Sequence, residues 1–149
     1  MKKQIENILD ILRKRCWTLG VMESCTGGAI SNEITNIPNA SDVFKEGQVT
    51  YSDEAKIKAG VDRKIIKNFG VYSIETAEEM ARKISGDIAV GVTGNMNDPA
   101  EVFVAVRIEK KIWSEKFLVG SKNKNEIEAR KEKKIKVVEK VMEMIIDNL

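Results

Sequence analysis

The turn Glu23-Ser24-Cys25-Thr26-Gly27-Gly28 carries the side chains of this sequence that are best suited to chemistry. It lies between a short apolar run and a segment with helical spacing, so it marks a strand end and a helix start. Two glycines let a ligand approach the backbone closely, and a helix start presents free N–H groups. Such a turn can hold a phosphate, or the oxyanion that forms when a serine attacks a carbonyl.

A purely structural role for the same turn is also open at this point. Ser24 or Thr26 would then cap the following helix by accepting a backbone hydrogen bond. The spacing of a P-loop, G-x-x-x-x-G-K-[ST], and that of a dinucleotide-binding turn, G-x-G-x-x-G, are both absent. Spacing alone therefore does not separate a ligand site from a capped helix start.

The sequence contains no histidine. This absence excludes Ser-His-Asp and Cys-His nucleophile systems and every His-ligated metal site. Cys25 lacks its usual activator, and we interpret it as a small buried residue. It could form a disulfide with Cys16, the other cysteine, but two thiols cannot build a common zinc site. We expect that the protein needs no metal ion and no organic cofactor.

A lysine can replace histidine as the base that activates Ser24. In a desolvated pocket a lysine loses part of its preference for the charged form and can accept a proton near neutral pH. Lys56 follows a second predicted strand, which ends in Thr50-Tyr51-Ser52. If the two strands are parallel neighbours, Ser24, Tyr51 and Lys56 emerge at one sheet edge. That cluster suffices for amide hydrolysis, whereas the alternative for Lys56 is an ordinary surface lysine.

The hydrophobic pattern predicts the elements that must position these side chains. Helical spacing favours six helices, over residues 3–14, 30–37, 53–58, 62–69, 75–85 and 124–146. Strands are predicted over residues 17–22, 43–51, 87–93, 101–108 and 112–119, with Ser52 and Ser73 as helix caps. This alternation is typical of an α/β protein with a mixed, mostly parallel sheet, and we predict one domain over residues 1–149.

The last predicted helix combines an apolar stripe with many charges. We expect the stripe to contain Ile135, Val138, Val141 or Met142, and Ile145. The charge-rich stretch from Lys122 to Lys136 fits a solvated helix face, and the alternative is a local anion-binding surface.

The overall charge argues against nucleic acid as a partner. Lys and Arg total 25 against 23 Asp and Glu, a formal net charge of +2, which provides no strong basic field. The N-terminus leads directly into an amphipathic helix, without a signal-peptide core, and no apolar run approaches the length of a membrane span. We therefore expect a cytoplasmic protein without a membrane partner.

The chain resembles the family of the C-terminal domain of the competence/damage-inducible protein CinA over nearly its whole length. The most specific shared motifs are the Glu23–Gly28 turn and the segment Thr50-Tyr51-Ser52 with Glu54-Ala55-Lys56. The other shared motifs, in chain order, are Asp42-Val43-Phe44, Gly47, Val49, Gly60-Val61, Gly70-Val71-Tyr72-Ser73, Thr76 to Ala81, and Ala89 to Gly94. The chain looks like the form of this family that stands alone.

The resemblance implies a nicotinamide-nucleotide amidase, which converts nicotinamide mononucleotide to nicotinate mononucleotide and ammonia. It implies Ser24 as the nucleophile, assisted by Lys56 and Tyr51, in a three-layer α/β/α sandwich that forms a homo-oligomer. We expect the nucleotide substrate to be bound by Cys25, Thr26, Gly27, Gly28, Thr93, Gly94 and Arg130.

The sequence departs from the family pattern after Thr93-Gly94. The family has a loop rich in glycine and proline there, whereas this chain has only Asn95-Met96-Asn97-Asp98-Pro99. Since glycine loops bring backbone N–H groups to a substrate, the loss supports a second hypothesis, a binding or regulatory module without turnover. The family also has an arginine pair near the last helix, for which Lys122, Lys124 and Arg130 are candidates. The family's name suggests a DNA-associated role, which the nearly neutral charge disfavours.

Overall fold

The computed structural model, which describes residues 1–149, places five strands in one central sheet. The strands are β1 (Leu19–Glu23), β2 (Phe44–Val49), β3 (Ile88–Asn95), β4 (Ala100–Ile108) and β5 (Lys111–Val119). Their order is β2-β1-β3-β4-β5; β2, β1 and β3 pair in parallel, and β4 pairs antiparallel with both β3 and β5. Because β4 alone runs against the other four strands, the expected mixed, mostly parallel sheet is confirmed.

Helices cover both faces of this sheet. They are α1 (Lys2–Arg15), α2 (Ala29–Thr35), α3 (Asp53–Lys58), α4 (Arg63–Phe69), α5 (Ile74–Lys83) and α6 (Glu126–Asn148), with a 3₁₀ turn at Ala40–Asp42. On one face, Leu12, Ile30 and Val141 of α1, α2 and α6 join the apolar side chains of β1, β3 and β4. On the other face, Met80 of α5 packs against Met22. The three-layer α/β/α arrangement is thus confirmed.

The centre of the sheet is dry because β1 and β3 are covered on both faces. All five residues of β1 are buried, and so are the first seven residues of β3. α5 lies so close to β3 that a side chain at Gly91 would collide with the Ala77 carbonyl. Side chains that follow β1 and β3 at their carboxyl ends are therefore held by a rigid, close-packed layer.

Most predicted helix starts agree with the structure. Ser52 caps α3 by accepting the Ala55 N–H at 3.1 Å, and Ser73 caps α5 by accepting the Thr76 N–H at 3.1 Å. Each serine satisfies one backbone donor that the first helical turn leaves without an intrahelical partner. Ser52 thereby fixes the start of α3 at Asp53, three residues before Lys56.

The predicted stripe of α6 is wrong at one position. The buried side chains recur every fourth residue, at Ala129, Lys133, Val137, Val141 and Ile145, and Val138, Met142 and Met144 are buried beside them. Ile135 is 36 % exposed, because a residue two positions from Lys133 and Val137 points about 200° away from them. The inner face of the charged half of α6 therefore carries a lysine.

Neither α6 nor any shorter helix has both the length and the apolar character that a membrane crossing would need.

Candidate active site

The turn after β1 is organised by the carboxylate of Glu23. This side chain is fully buried, and its two oxygens accept the N–H groups of Ile30 and Ser31 at 3.0 and 2.9 Å and the Ser31 hydroxyl at 2.7 Å. Gly28, at φ 94°, is the N-cap residue of α2 and has no side chain to accept these donors. Capping by Ser24 or Thr26 is therefore wrong, because Glu23 caps α2 from the end of β1 and leaves both hydroxyls out of that role.

Ser24 and Lys56 are in direct contact. The Lys56 Nζ donates a hydrogen bond to the Ser24 Oγ at 2.9 Å and a second one to the Thr50 carbonyl at 2.9 Å. The parallel pairing of β1 with β2 brings the two strand ends to one edge, as the sequence predicted. Lys56 is only 1 % exposed, so the alternative of an ordinary surface lysine is wrong.

Burial lowers the pKa of Lys56 below the ordinary value for a lysine, because desolvation penalises the charged ammonium. The negative charge of Asp53 opposes this shift and raises the pKa of Lys56. Neutral Lys56 can then accept a proton from Ser24 through the contact that already exists between them. The pair has the geometry of a nucleophile and its base.

Cys25 does not compete for the role of nucleophile. It is 4 % exposed, and burial raises the pKa of its thiol to about 12. A thiol with that pKa stays protonated and unreactive at neutral pH. The interpretation of Cys25 as a small buried residue is confirmed. No three His, Cys, Asp or Glu side chains come together as a set of metal ligands.

A cavity of about 210 Å³ opens next to the pair. Of the predicted site residues, six line it, namely Ser24, Cys25, Tyr51, Lys56, Gly94 and Arg130. Six lining residues were not predicted, namely Asp53, Val71, Tyr72, Asn95, Met96 and Asn97. The sequence contained one usable signal for these residues, since Val71 and Tyr72 lie within a shared motif and Asn95 directly follows another. Their side-chain directions, however, depend on the folded loops.

Four residues predicted to bind substrate do not line the cavity, namely Thr26, Gly27, Gly28 and Thr93. Thr26 is 1 % exposed, and Thr93 is fully buried on β3, where its hydroxyl donates to the Val71 carbonyl at 2.9 Å. Thr93 thus holds the loop that bears Val71 instead of facing a ligand. Gly27 faces α6, where an added Cβ would lie 3.3 Å from the Lys134 Nζ.

Two backbone N–H groups beside Ser24 remain free. The Ser24 N–H donates to the Val92 carbonyl and the Gly27 N–H to the Ser24 carbonyl, both within 3.0 Å. In contrast, the N–H groups of Cys25 and Thr26 donate to no backbone carbonyl. Free N–H groups next to a nucleophile are the donors that an oxyanion requires.

The other cavity residues are polar or aromatic. Tyr51 is 64 % exposed, and its hydroxyl makes no hydrogen bond to Ser24 or Lys56. Arg130 of α6 donates from Nη1 to the Asn97 Oδ1 at 3.4 Å, across the cavity wall. The other candidate cations, Lys122 and Lys124, are exposed and do not line the cavity.

Replacing Asp53 by asparagine tests how the base is tuned. Lys56 acts as a base when neutral, so activity is expected to rise with pH as Lys56 loses its proton. The Asp53→Asn substitution removes a negative charge that raises the pKa of Lys56, so the rising limb should move to lower pH. The pH dependence of kcat/KM for amide hydrolysis measures this. Glu54→Gln changes an exposed neighbour outside the cavity and is the control. If the rising limb of the Asp53→Asn profile stays in place or moves to higher pH, Asp53 does not tune the pKa of Lys56.

Sequence comparison identifies the family of this site. The model of the CinA C-terminal domain family matches residues 1–144. The chain belongs to this family. A CinA-like protein of Chloroherpeton thalassium is 48 % identical over 94 residues, which are 60 % of this chain and 22 % of that protein. A CinA-like protein of Kosmotoga olearia is 43 % identical over 94 residues, 60 % of this chain and 23 % of that protein. The matched segment is thus less than a quarter of the length of these relatives.

Solved CinA-family structures share the fold. The competence/damage inducible protein CihA from Agrobacterium tumefaciens superposes with a TM-score of 0.84 at 26 % identity, covering 98 % of this chain and 93 % of that one. A CinA superfamily protein from Klebsiella pneumoniae superposes with a TM-score of 0.85 at 21 % identity, covering 97 % and 94 % of the two chains. The CinA fold therefore accounts for the whole five-stranded sheet and its helices.

Proposed function

We propose that this CinA-family protein is an amidohydrolase that converts nicotinamide mononucleotide to nicotinate mononucleotide and ammonia. The observation that carries the proposal is the 2.9 Å contact between the Lys56 Nζ and the Ser24 Oγ in a buried site that adjoins a cavity. The family resemblance indicates the substrate. The contact indicates a mechanism in which Lys56, and not a histidine, activates the serine.

The first half of the reaction forms an ester between the enzyme and the substrate. Neutral Lys56 accepts the Ser24 proton as the oxygen attacks the carboxamide carbon. The negative charge that develops on the carbonyl oxygen can be held by the free N–H group of Cys25, a residue that lines the cavity. Lys56 then gives its proton to the nitrogen, the C–N bond breaks, and ammonia leaves.

The second half regenerates the serine. Lys56, neutral again, accepts a proton from a water molecule that attacks the ester carbon. The C–O bond to Ser24 breaks, and the serine oxygen takes the proton back from Lys56. The Thr50 carbonyl accepts a hydrogen bond from the same ammonium at 2.9 Å, which holds its nitrogen in place between the two steps.

The cavity offers groups that suit an aromatic nucleotide. Tyr51 and Tyr72, which are 64 % and 54 % exposed, present planar faces on which a pyridine ring can stack. Arg130 presents a guanidinium that can pair with a phosphate. Tyr51 has a free hydroxyl that can orient the amide or relay a proton, which is the role that the family resemblance gives it.

The direct test is ammonia release from nicotinamide mononucleotide by the purified protein. We expect saturable release of ammonia with equimolar nicotinate mononucleotide, and the Ser24→Ala variant is the blank. Circular dichroism establishes that both proteins are folded. If the folded wild type releases no ammonia, the amidase proposal is wrong.

A binding module without turnover is the second candidate, and one observation favours it. Only residues 96–99 connect β3 to β4, so the backbone that a glycine-rich loop would bring to the substrate is missing. Calorimetric binding of a pyridine nucleotide without product after long incubation would support this candidate, and efficient turnover would exclude it. A homo-oligomer and a cytoplasmic location stay predictions; sedimentation equilibrium tests the first and cell fractionation the second.

A further inference from the structure

Lys133 is a buried cation that the proposed reaction does not use. It lies on the inner face of α6 and is only 2 % exposed. A lysine is almost never buried to this extent unless its charge is paired. Its Nζ donates to the Met96 carbonyl at 3.2 Å and forms an ion pair with the carboxylate of Asp98. Both acceptors belong to the short connection between β3 and β4.

This connection, residues 96–99, forms part of the cavity wall. Met96 and Asn97 line the cavity, as does Asn95 at the end of β3. The Asp98 side chain is 73 % exposed, so the Lys133 ammonium reaches from the interior of the protein to a turn at its surface. Met96 is also buried in the main apolar core, and the Asn97 N–H donates to the Asn95 Oδ1 at 2.9 Å, so the contacts with α6 add to these anchors and extend them to Asp98.

A second cation of α6 holds the same connection one helical turn earlier. Arg130 donates to the Asn97 Oδ1 at 3.4 Å, while Lys133 bonds to the residues on either side of Asn97. An ammonium ion without partners in the interior is strongly unfavourable, so the buried part of this arrangement is stable only while the connection stays against α6. Moving the connection away from α6 would leave the Lys133 ammonium buried without its partners and would therefore destabilise the fold.

We infer that Lys133 is a positioning residue that holds the β3–β4 connection as a preformed wall of the substrate cavity. A preformed wall lowers the entropy that binding must remove from the loop. Lys133 contacts no reacting atom. We therefore expect it to affect the affinity for substrate and not the rate of the chemical steps at Ser24. The kinetic part of this inference rests on the proposed amidase function, whereas the structural part does not.

Lys133→Met tests the inference, because methionine fills the buried site without a charge. We expect amide hydrogen exchange in residues 95–98 to become at least about tenfold faster, with the rest of the sheet unchanged. We also expect the KM for nicotinamide mononucleotide to rise about tenfold while kcat changes little. Lys131→Met, on the exposed face of the same helical turn, is the control and should change neither.

Asp98→Asn is the second variant, because it removes the charge partner at the exposed end of the ion pair and keeps the Lys133 side chain in the interior. It should also accelerate amide hydrogen exchange selectively in residues 95–98. Unchanged exchange in both folded variants, or faster exchange throughout the sheet, would overturn the positioning role. If the wild type releases no ammonia, the amidase proposal fails, and hydrogen exchange still decides whether Lys133 holds the wall.

Discussion

A Lys56→Met variant is expected to lose about a thousandfold in kcat for ammonia release, the range of general-base catalysis. The Lys56 Nζ is the base within hydrogen-bond reach of the Ser24 Oγ, at 2.9 Å. The chain has no histidine that could take over the proton transfer. Initial rates with nicotinamide mononucleotide, together with a thermal unfolding curve for each protein, measure the effect.

Two further variants separate the role of Lys56 as a base from the effect of its positive charge. Lys58→Met removes an exposed lysine two positions along the same helix and should keep full activity. Lys56→Arg keeps the positive charge but cannot give up its proton, so it should be as inactive as Lys56→Met. A folded Lys56→Met protein with most of its activity would show that the Ser24–Lys56 assignment is wrong, even though the family assignment stands.

The Ser24–Lys56 contact could be predicted because it follows from topology. Ser24 comes after one strand end, and Lys56 follows another by a few residues, with Ser52 marking the start of the helix between. Once the two strands pair in parallel, these positions meet at one sheet edge with little freedom. The burial of Lys56 was harder to foresee, since it depends on the loops that close over it.

The residues that the sequence pattern misassigned take part in contacts between distant segments. Ile135 looks like a core residue and Lys133 like a surface residue, yet the pairing of Lys133 with Asp98 reverses this. Similarly, Glu23 caps α2 from inside the protein, a role that the sequence pattern did not predict. Hydrophobic periodicity predicts which face of a helix is apolar. It does not predict that a charged side chain is buried against a partner from another part of the chain.

The cavity wall was the least predictable part of the site. Tyr72 faces the cavity on a loop that Thr93 holds through the Val71 carbonyl, a hydrogen bond between residues 22 positions apart. Asn95 and Asn97 reach it because β3 continues past the predicted end at residue 93. Loop paths of this kind are set by individual long-range hydrogen bonds, which leave no periodic trace in the sequence.

A Ser24→Ala variant is expected to lose at least about a thousandfold in kcat, because no other group near Lys56 can form the ester. Cys25 is the neighbouring nucleophile, but burial raises the pKa of its thiol to about 12, so it stays protonated. Cys25→Ala should therefore keep most of the activity. Single-turnover measurements should show product from Cys25→Ala and none from Ser24→Ala.

The same pair of variants separates binding from chemistry at Ser24. The Ser24→Ala protein keeps the cavity, so it should still bind nicotinamide mononucleotide with nearly the wild-type affinity in a calorimeter, as expected when a mutation removes only a transition-state interaction. Loss of both binding and turnover would assign Ser24 to substrate recognition. Activity that survives in Ser24→Ala but disappears in Cys25→Ala would instead make the thiol the nucleophile, against the pKa that its burial imposes.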